Sequence, residues 1–311
     1  MIPCRLVKDD AAMRKPEQDL EQRIGRLRCW RGPVALSPLT GGLTNVSYVA
    51  DDGREKFVVR CGEDIPVHHV FRDRERAASK AAHAAGLSPE IVHLEPGLMV
   101  MRHLDARTFG EADLRADIGR LAPLLRHCHR EVGRHVAGPP NFFSVFRVIR
   151  DYARSIAAAE SPFAPDLPRY LEAAEMLEQR QAPMPVVFGH HDLLPGNVMD
   201  DGKRLWLIDW EYGGFGTPLF DLANLSSNGA FTEADDTALL DAYFEGGATP
   251  GVRRSFEAMK AASALREAMW AMVSDSHLHV PGADYKAHAR DYLHRFDELM
   301  EIGRASCRER V

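Results

Sequence analysis

Cysteine is scarce in this chain and shows no paired spacing. Cys4, Cys29, Cys61, Cys128 and Cys307 are scattered over 311 residues. Isolated cysteines supply neither a disulfide framework nor the closely spaced ligand pairs of a structural zinc site, which fits a reducing cytoplasm. Long apolar runs are also missing. None approaches the roughly 20 residues needed to cross a bilayer, and residues 1–10 lack the apolar core of a signal peptide. No membrane partner and a cytoplasmic location are therefore expected. A basic excess is absent too: 39 Lys and Arg stand against 45 Asp and Glu, a formal net charge of −6. That balance gives no basic face for a nucleic acid. Repeats and low-complexity linkers are not found. The 45% hydrophobic and 27% charged fractions are those of an ordinary soluble protein large enough for one big domain or two lobes.

The informative stretch runs from Val187 through Gly189, His190, His191, Asp192 and Asn197 to Met199, then through Ile208, Asp209, Trp210, Glu211 and Tyr212. It sets an Asp and an Asn on one tight loop, and a second Asp at the end of a short apolar run. This pattern suits phosphoryl transfer, where the protein supplies metal ligands, positioning and a proton acceptor. Asp192 is the candidate base for a hydroxyl proton. Asn197 and Asp209 offer hard oxygens for Mg2+, which takes a few protein oxygens together with phosphate and water. His190 would brace the loop.

His190-x-Asp192-x4-Asn197 with Ile208-Asp209-x-Glu211 resembles the choline/ethanolamine kinase and aminoglycoside phosphotransferase superfamily, a branch of the protein-kinase-like fold. The run Ile208 to Tyr212, continued by Pro218-Leu219-Phe220-Asp221-Leu222-Ala223-Asn224, is most similar to bacterial-type choline kinases. The segment Leu225 to Gly229 departs from the more aromatic and acidic continuation of eukaryotic choline kinases, which leaves the acceptor open. The resemblance implies an α+β, protein-kinase-like bilobal fold, a β-rich N-lobe over 1–103 and a helical C-lobe over 104–302; residues 303–311 lack helical periodicity and are expected to be a disordered or cloning-derived tail.

Pattern along the chain agrees with that division. A helix is expected over 16–30, then strands over 34–39, 46–50 and 56–60, with Asp52-Gly53 turning a hairpin. A charged, alanine-rich helix over 70–85 is followed by strands over 90–94 and 97–104. Helices are expected over 112–130, 144–159, 167–181, 218–227, 233–245, 250–275 and 284–300. A hinge is expected near Met101 to Leu104, with the adenine against it.

The resemblance implies ATP and Mg2+ as cofactors. Gly41 and Gly42 would let backbone amides approach phosphate. Arg60 would grip the phosphates in a planar fork and Glu75 would pair with it, Asp73 being the rival. Glu211 would be a further metal ligand, and Asp221 would bond back to the catalytic loop. Tyr212, Trp270 and Trp210 are the candidates for the acceptor pocket, with Phe231 and Tyr243 on weaker grounds, because aromatic faces and carboxylates suit an alkylammonium. The implied activity is ATP-dependent phosphorylation of a small amino-alcohol, choline or ethanolamine first. An aminoglycoside or thiamine-like acceptor is the alternative, and a catalytically silent binding protein is the alternative of another class. Monomer and homodimer are both left open.

Overall fold

The computed structural model describes residues 19–39, 45–139, 141–278, 280 and 282–308, with 302–308 by backbone alone. Gly41 and Gly42 lie outside the described residues. The chain divides into two compact units. One comprises Met1–Gly62 with Glu90–Leu104, the other Glu63–Pro89 with Asp105–Val311.

The first unit is built on a five-stranded antiparallel sheet in the order β1-β2-β3-β5-β4. Its strands are β1 (Ala35–Leu39), β2 (Val46–Asp51), β3 (Lys56–Cys61), β4 (Ile91–Glu95) and β5 (Leu98–Arg102). Period-two burial shows which face is covered: Phe57, Val59 and Cys61 of β3 join Tyr48, Ala50, Leu98 and Val100 in one core with Ile24 and Leu27. Arg60 alternates with them and is half-buried. The β2–β3 turn works as the sequence predicts. Asp52 accepts the Arg54 and Glu55 amides at 3.0 and 2.9 Å, and Gly53 takes φ +80°. The first helix ends earlier than the expected Trp30, and the expected start at 16–18 lies outside the described residues. Residues 19–25 are helical and 26–30 are not. Its end is marked by tight-turn bonds from the Arg26 and Leu27 amides to Arg23 and Ile24, and Trp30 donates Nε1–H to the Ile24 carbonyl at 2.7 Å.

The second unit is helical, with small sheets that carry the acidic loop. Helix Arg72–Ala84 belongs here, which differs from a single break after residue 103. Its alanine face, Ala78, Ala81 and Ala82, packs into the large helical core. The long helix Pro250–His277 starts at a Thr249 cap with Pro250 at its first position. It buries Ala258, Ala261, Ala262, Ala264, Ala268 and Ala271, small side chains that let neighbouring helices approach closely. β7 (Val187–Gly189) pairs with β10 (Gly214–Gly216), and β8 (Val198–Asp200) lies between β6 (Arg107–Thr108) and β9 (Leu205–Leu207). The last helix, Tyr285–Arg308, runs past the expected stop at Met300. No proline follows Met300, and a lone Gly303 costs a helix only about 1 kcal/mol.

Candidate active site

β7 delivers the chain into the loop, and β8 and β9 carry it out again. Asp192 is buried at the loop's centre. Asn197 donates Nδ2–H to the Asp192 carbonyl at 2.8 Å and to its Oδ2 at 3.3 Å. The Ile208 amide donates to the Asn197 carbonyl at 3.0 Å. Asp209, the residue after Ile208, is thus set beside Asn197 in the chain's return, with a left-handed backbone at φ +66°. His191 is left-handed as well, at φ +65°. Non-glycine residues hold that conformation only where the surroundings over-determine it.

Those surroundings are visible. Asp221, at the start of helix Pro218–Asn228, accepts the His190 and His191 amides at 2.8 and 2.7 Å. It also accepts His129 Nε2–H at 2.9 Å, and the other nitrogen of that ring meets the Tyr243 hydroxyl at 2.7 Å. Burial works against ionising Asp221, but the His129 hydrogen bond and the neighbouring His191, His129 and His190 rings hold its carboxyl below the usual range. The Leu193 amide donates to Asn224 Oδ1 at 2.6 Å, and Asn228 Nδ2–H reaches the Leu193 carbonyl at 3.2 Å.

His190 has one tautomer. The Asp192 amide donates to Nδ1 at 3.3 Å, so Nε2 carries the proton and donates to the Ile208 carbonyl at 2.9 Å. Burial pushes its pKa down, which keeps it neutral. His190 therefore ties the Asp192 loop to the segment after β9 that bears Asp209. His191, to which the sequence assigned no role, is fully buried. It lies flat on Phe143 at 4.3 Å, and burial lowers its pKa to about 4.

Asp192 is held well above the usual carboxylate range. Burial is the main cause, and it outweighs the Arg266 charge, while Glu267, Glu211 and Asp209 push the same way as burial. A base raised towards neutrality matches proton transfer from a hydroxyl. Arg266 Nη1 stands 3.7 Å from Asp192 Oδ1 and 2.8 Å from Glu267 Oε2, with its guanidinium 4.6 Å from the Tyr212 ring centre. His288 meets Glu267 Oε1 at 3.1 Å.

Glu211 meets Arg72 Nη1 at 3.3 Å, and the same nitrogen donates to Glu75 Oε2 at 2.7 Å. Arg72 thus gathers two of the predicted site residues, and the sequence had not singled it out. Asp73 is almost fully exposed and bonds Arg76. Trp210 requires a correction. Its indole is 1% exposed, packs against His190 at 4.6 Å between ring centres with the planes tilted by 55°, and donates to the Leu207 carbonyl. The chain leaves strand geometry after Leu207, with Asp209 left-handed and Glu211-Tyr212 in a turn, and Trp210 packs into the large core. It packs in the core against the loop, where the sequence had suggested a place beside the acceptor. Phe231 is also core, and Tyr243 serves His129. Trp270 is buried among His68, Tyr285 and His288, with ring centres 5.2, 6.0 and 6.0 Å away.

Among the described residues, no group of three or more His, Cys, Asp and Glu side chains forms a metal cage. The donors present suit a hard cation that does not need one. Asn197 spends its N–H on Asp192 and keeps its carbonyl oxygen, and Asp209 and Glu211 add carboxylates that already repel Asp192. These residues fit Mg2+.

Residues 35–259 match the phosphotransferase enzyme family. The chain belongs to that family. Protein LicA of Haemophilus influenzae is 25% identical over 208 residues, 65% of this chain and 61% of its own length. A probable ethanolamine kinase of Arabidopsis thaliana is 30% identical over 210 residues, 61% of this chain and 55% of its own length. The chain thus spans little more than half the length of these relatives. A solved structure of a choline/ethanolamine kinase family protein from Mesorhizobium loti superposes with a TM-score of 0.73 at 28% identity, covering 92% of this chain and 95% of that one. The family's fold is protein-kinase-like, as the sequence predicts. No described helix is long and apolar enough to cross a membrane.

Proposed function

We propose that the chain uses ATP and Mg2+ to phosphorylate the hydroxyl of a small amino-alcohol. One observation carries the reading: buried Asp192, its pKa raised, is fixed by Asn197 on a loop whose return bears Asp209. Asp192 accepts the acceptor's hydroxyl proton as that oxygen attacks the terminal phosphorus and ADP leaves. Asn197, Asp209 and Glu211 would hold the cation, which when bound neutralises phosphate charge. Arg60 and the Gly41-Gly42 loop take the nucleotide's phosphates. Resemblance to the choline and ethanolamine kinases named above supports the amino-alcohol, and Asp192, Glu211 and Glu267 supply negative field for its ammonium.

The test is ATP turnover against choline, ethanolamine, thiamine and a kanamycin-type aminoglycoside. One of the small amino-alcohols is expected to give the highest kcat/KM. Asp192→Asn is expected to lower kcat by about 10² or more, a usual loss for a general base. Near wild-type turnover in that variant rejects the assignment, and turnover confined to the aminoglycoside rejects the acceptor class.

A further inference from the structure

Arg266 is the least expected residue of the acidic site. It is 1% exposed, and a buried charge is costly unless it is paired and hydrogen-bonded. Only one of its nitrogens meets that need. Nη1 serves both Glu267 and Asp192, while Nε and Nη2 have no partner among the described residues. Buried donors without acceptors are rare in native proteins and tend to mark functional positions. Two features fix where these donors stand. The Glu267 carboxylate, itself tied to His288, holds Nη1, and the Tyr212 ring lies against the guanidinium.

The position matters because Nη1 is only 3.7 Å from Asp192. An acceptor whose hydroxyl reaches Asp192 comes within reach of the same guanidinium. The Tyr212 face that an alkylammonium would use is already taken by Arg266. An ammonium still finds the Asp192, Glu211 and Glu267 carboxylates, but it gives nothing to the unpaired N–H groups. A carboxylate or carbonyl oxygen does, and a planar guanidinium favours it with two parallel hydrogen bonds.

We propose that Arg266 is a specificity-determining residue of the acceptor site: its Nε–H and Nη2–H receive an oxygen other than the hydroxyl that reacts. The acceptor is then an amino-alcohol that also bears a carboxylate or carbonyl oxygen close to its hydroxyl, with the chemistry of a hydroxy-amino acid. This inference rests on the kinase reading above and narrows its acceptor.

The experiment compares kcat/KM for L-serine, L-homoserine and L-threonine with ethanolamine and choline, in the wild type and in Arg266→Lys. Lysine keeps the charge opposite Glu267 and Asp192 but not the two-donor fork, and a melting curve confirms that the variant folds. The wild type is expected to favour one of the carboxylate-bearing acceptors at least tenfold. Arg266→Lys is expected to collapse that ratio towards one, mainly through KM. Equal or better use of ethanolamine or choline by the wild type overturns the inference and leaves the kinase reading standing. An equal loss for every acceptor in Arg266→Lys also overturns it, since Arg266 then only braces Asp192. Failure to phosphorylate any acceptor sinks the kinase reading and this inference together. If Arg266→Lys does not fold, Arg266→Gln, which retains a planar donor, is judged by the same ratio.

Discussion

Asp221 receives three donors at once, the His190 and His191 amides and His129 Nε2–H. Only a carboxylate accepts on both of its oxygens. In Asp221→Asn one oxygen becomes an NH2, which accepts nothing and faces N–H groups. The variant is expected to lose at least about 2 kcal/mol, the order for hydrogen bonds to a buried charge, and to lower kcat as the loop slackens. Denaturant titration alongside turnover checks it, and an unchanged midpoint would remove Asp221 as the loop's anchor. Gly189 is constrained from the same side. A Cβ there would stand 2.5 Å from His191 Nε2 and 2.9 Å from Asp221 Oδ2. Gly189→Ala is therefore expected to reduce both stability and activity, and full activity would mean that the His191 ring can move aside. Arg60 gives a third residue-level prediction. Arg60→Lys is expected to raise the apparent KM for ATP with the fold intact, because a planar fork becomes a single point charge. Equal ATP use in both proteins would remove Arg60 from the phosphates.

Helix Pro250–His277 would concentrate the acceptor side of the proposed site, since it bears Arg266, Glu267 and Trp270 within little more than one turn. Trp270 has His68 beside it and Tyr285 and His288 at its edges. Trp270→Ala is expected to cost about 3–5 kcal/mol through the cavity it leaves, and Trp270→Phe to recover part of this. A wall of the acceptor pocket would also raise the acceptor's KM without moving that for ATP. Lost stability with an unmoved acceptor KM would confine Trp270 to the core. This element also shows what a sequence can and cannot disclose. Its start and length follow from Thr249-Pro250 and the helical period. The acidic loop is legible because Asp192, Asn197, Asp209 and Asp221 lie within a few dozen residues. Arg266 and His129 were not legible: His129 meets Asp221 across 92 residues of chain, and only the fold makes them neighbours. β6 and β10, of two and three residues and glycine-rich at β10, are too short to carry a period. The inward packing of Trp210 depends on the left-handed Asp209 and the turn at 211–212, which strand periodicity does not encode.

At the scale of the molecule, the acid response follows from imidazoles that the fold keeps neutral. Burial lowers the pKa of His68 from 6.5 to about 3, and that of His191 to about 4. A folded-state pKa below the unfolded one means the unfolded chain binds protons first. The stability these residues contribute is complete above pH 6.5 and is lost as pH falls towards 3–4. Asp221, lowered below the usual carboxylate value, acts in the same direction at the acid end of that window. Asp192, raised by burial, acts oppositely: it favours the folded state at low pH and costs stability as pH rises through its shifted value. Between pH 6.5 and 4 the lowered imidazoles of His68, His69, His190 and His191 outnumber the raised carboxyls of Asp192 and Asp236, each tenfold change in proton affinity being worth about 1.4 kcal/mol. The Tm is thus expected to fall steadily on acidification from pH 7 to 4. His68 is the residue on which to test this, since its partners are the Tyr152 and Ser274 hydroxyls and not the acidic loop. His68→Gln keeps hydrogen bonding but cannot take up a proton. It is expected to begin with a lower Tm at pH 7 and to lose less on the way to pH 4 than the wild type does. Parallel Tm-against-pH curves for the two proteins would show that His68 is not a source of the acid sensitivity.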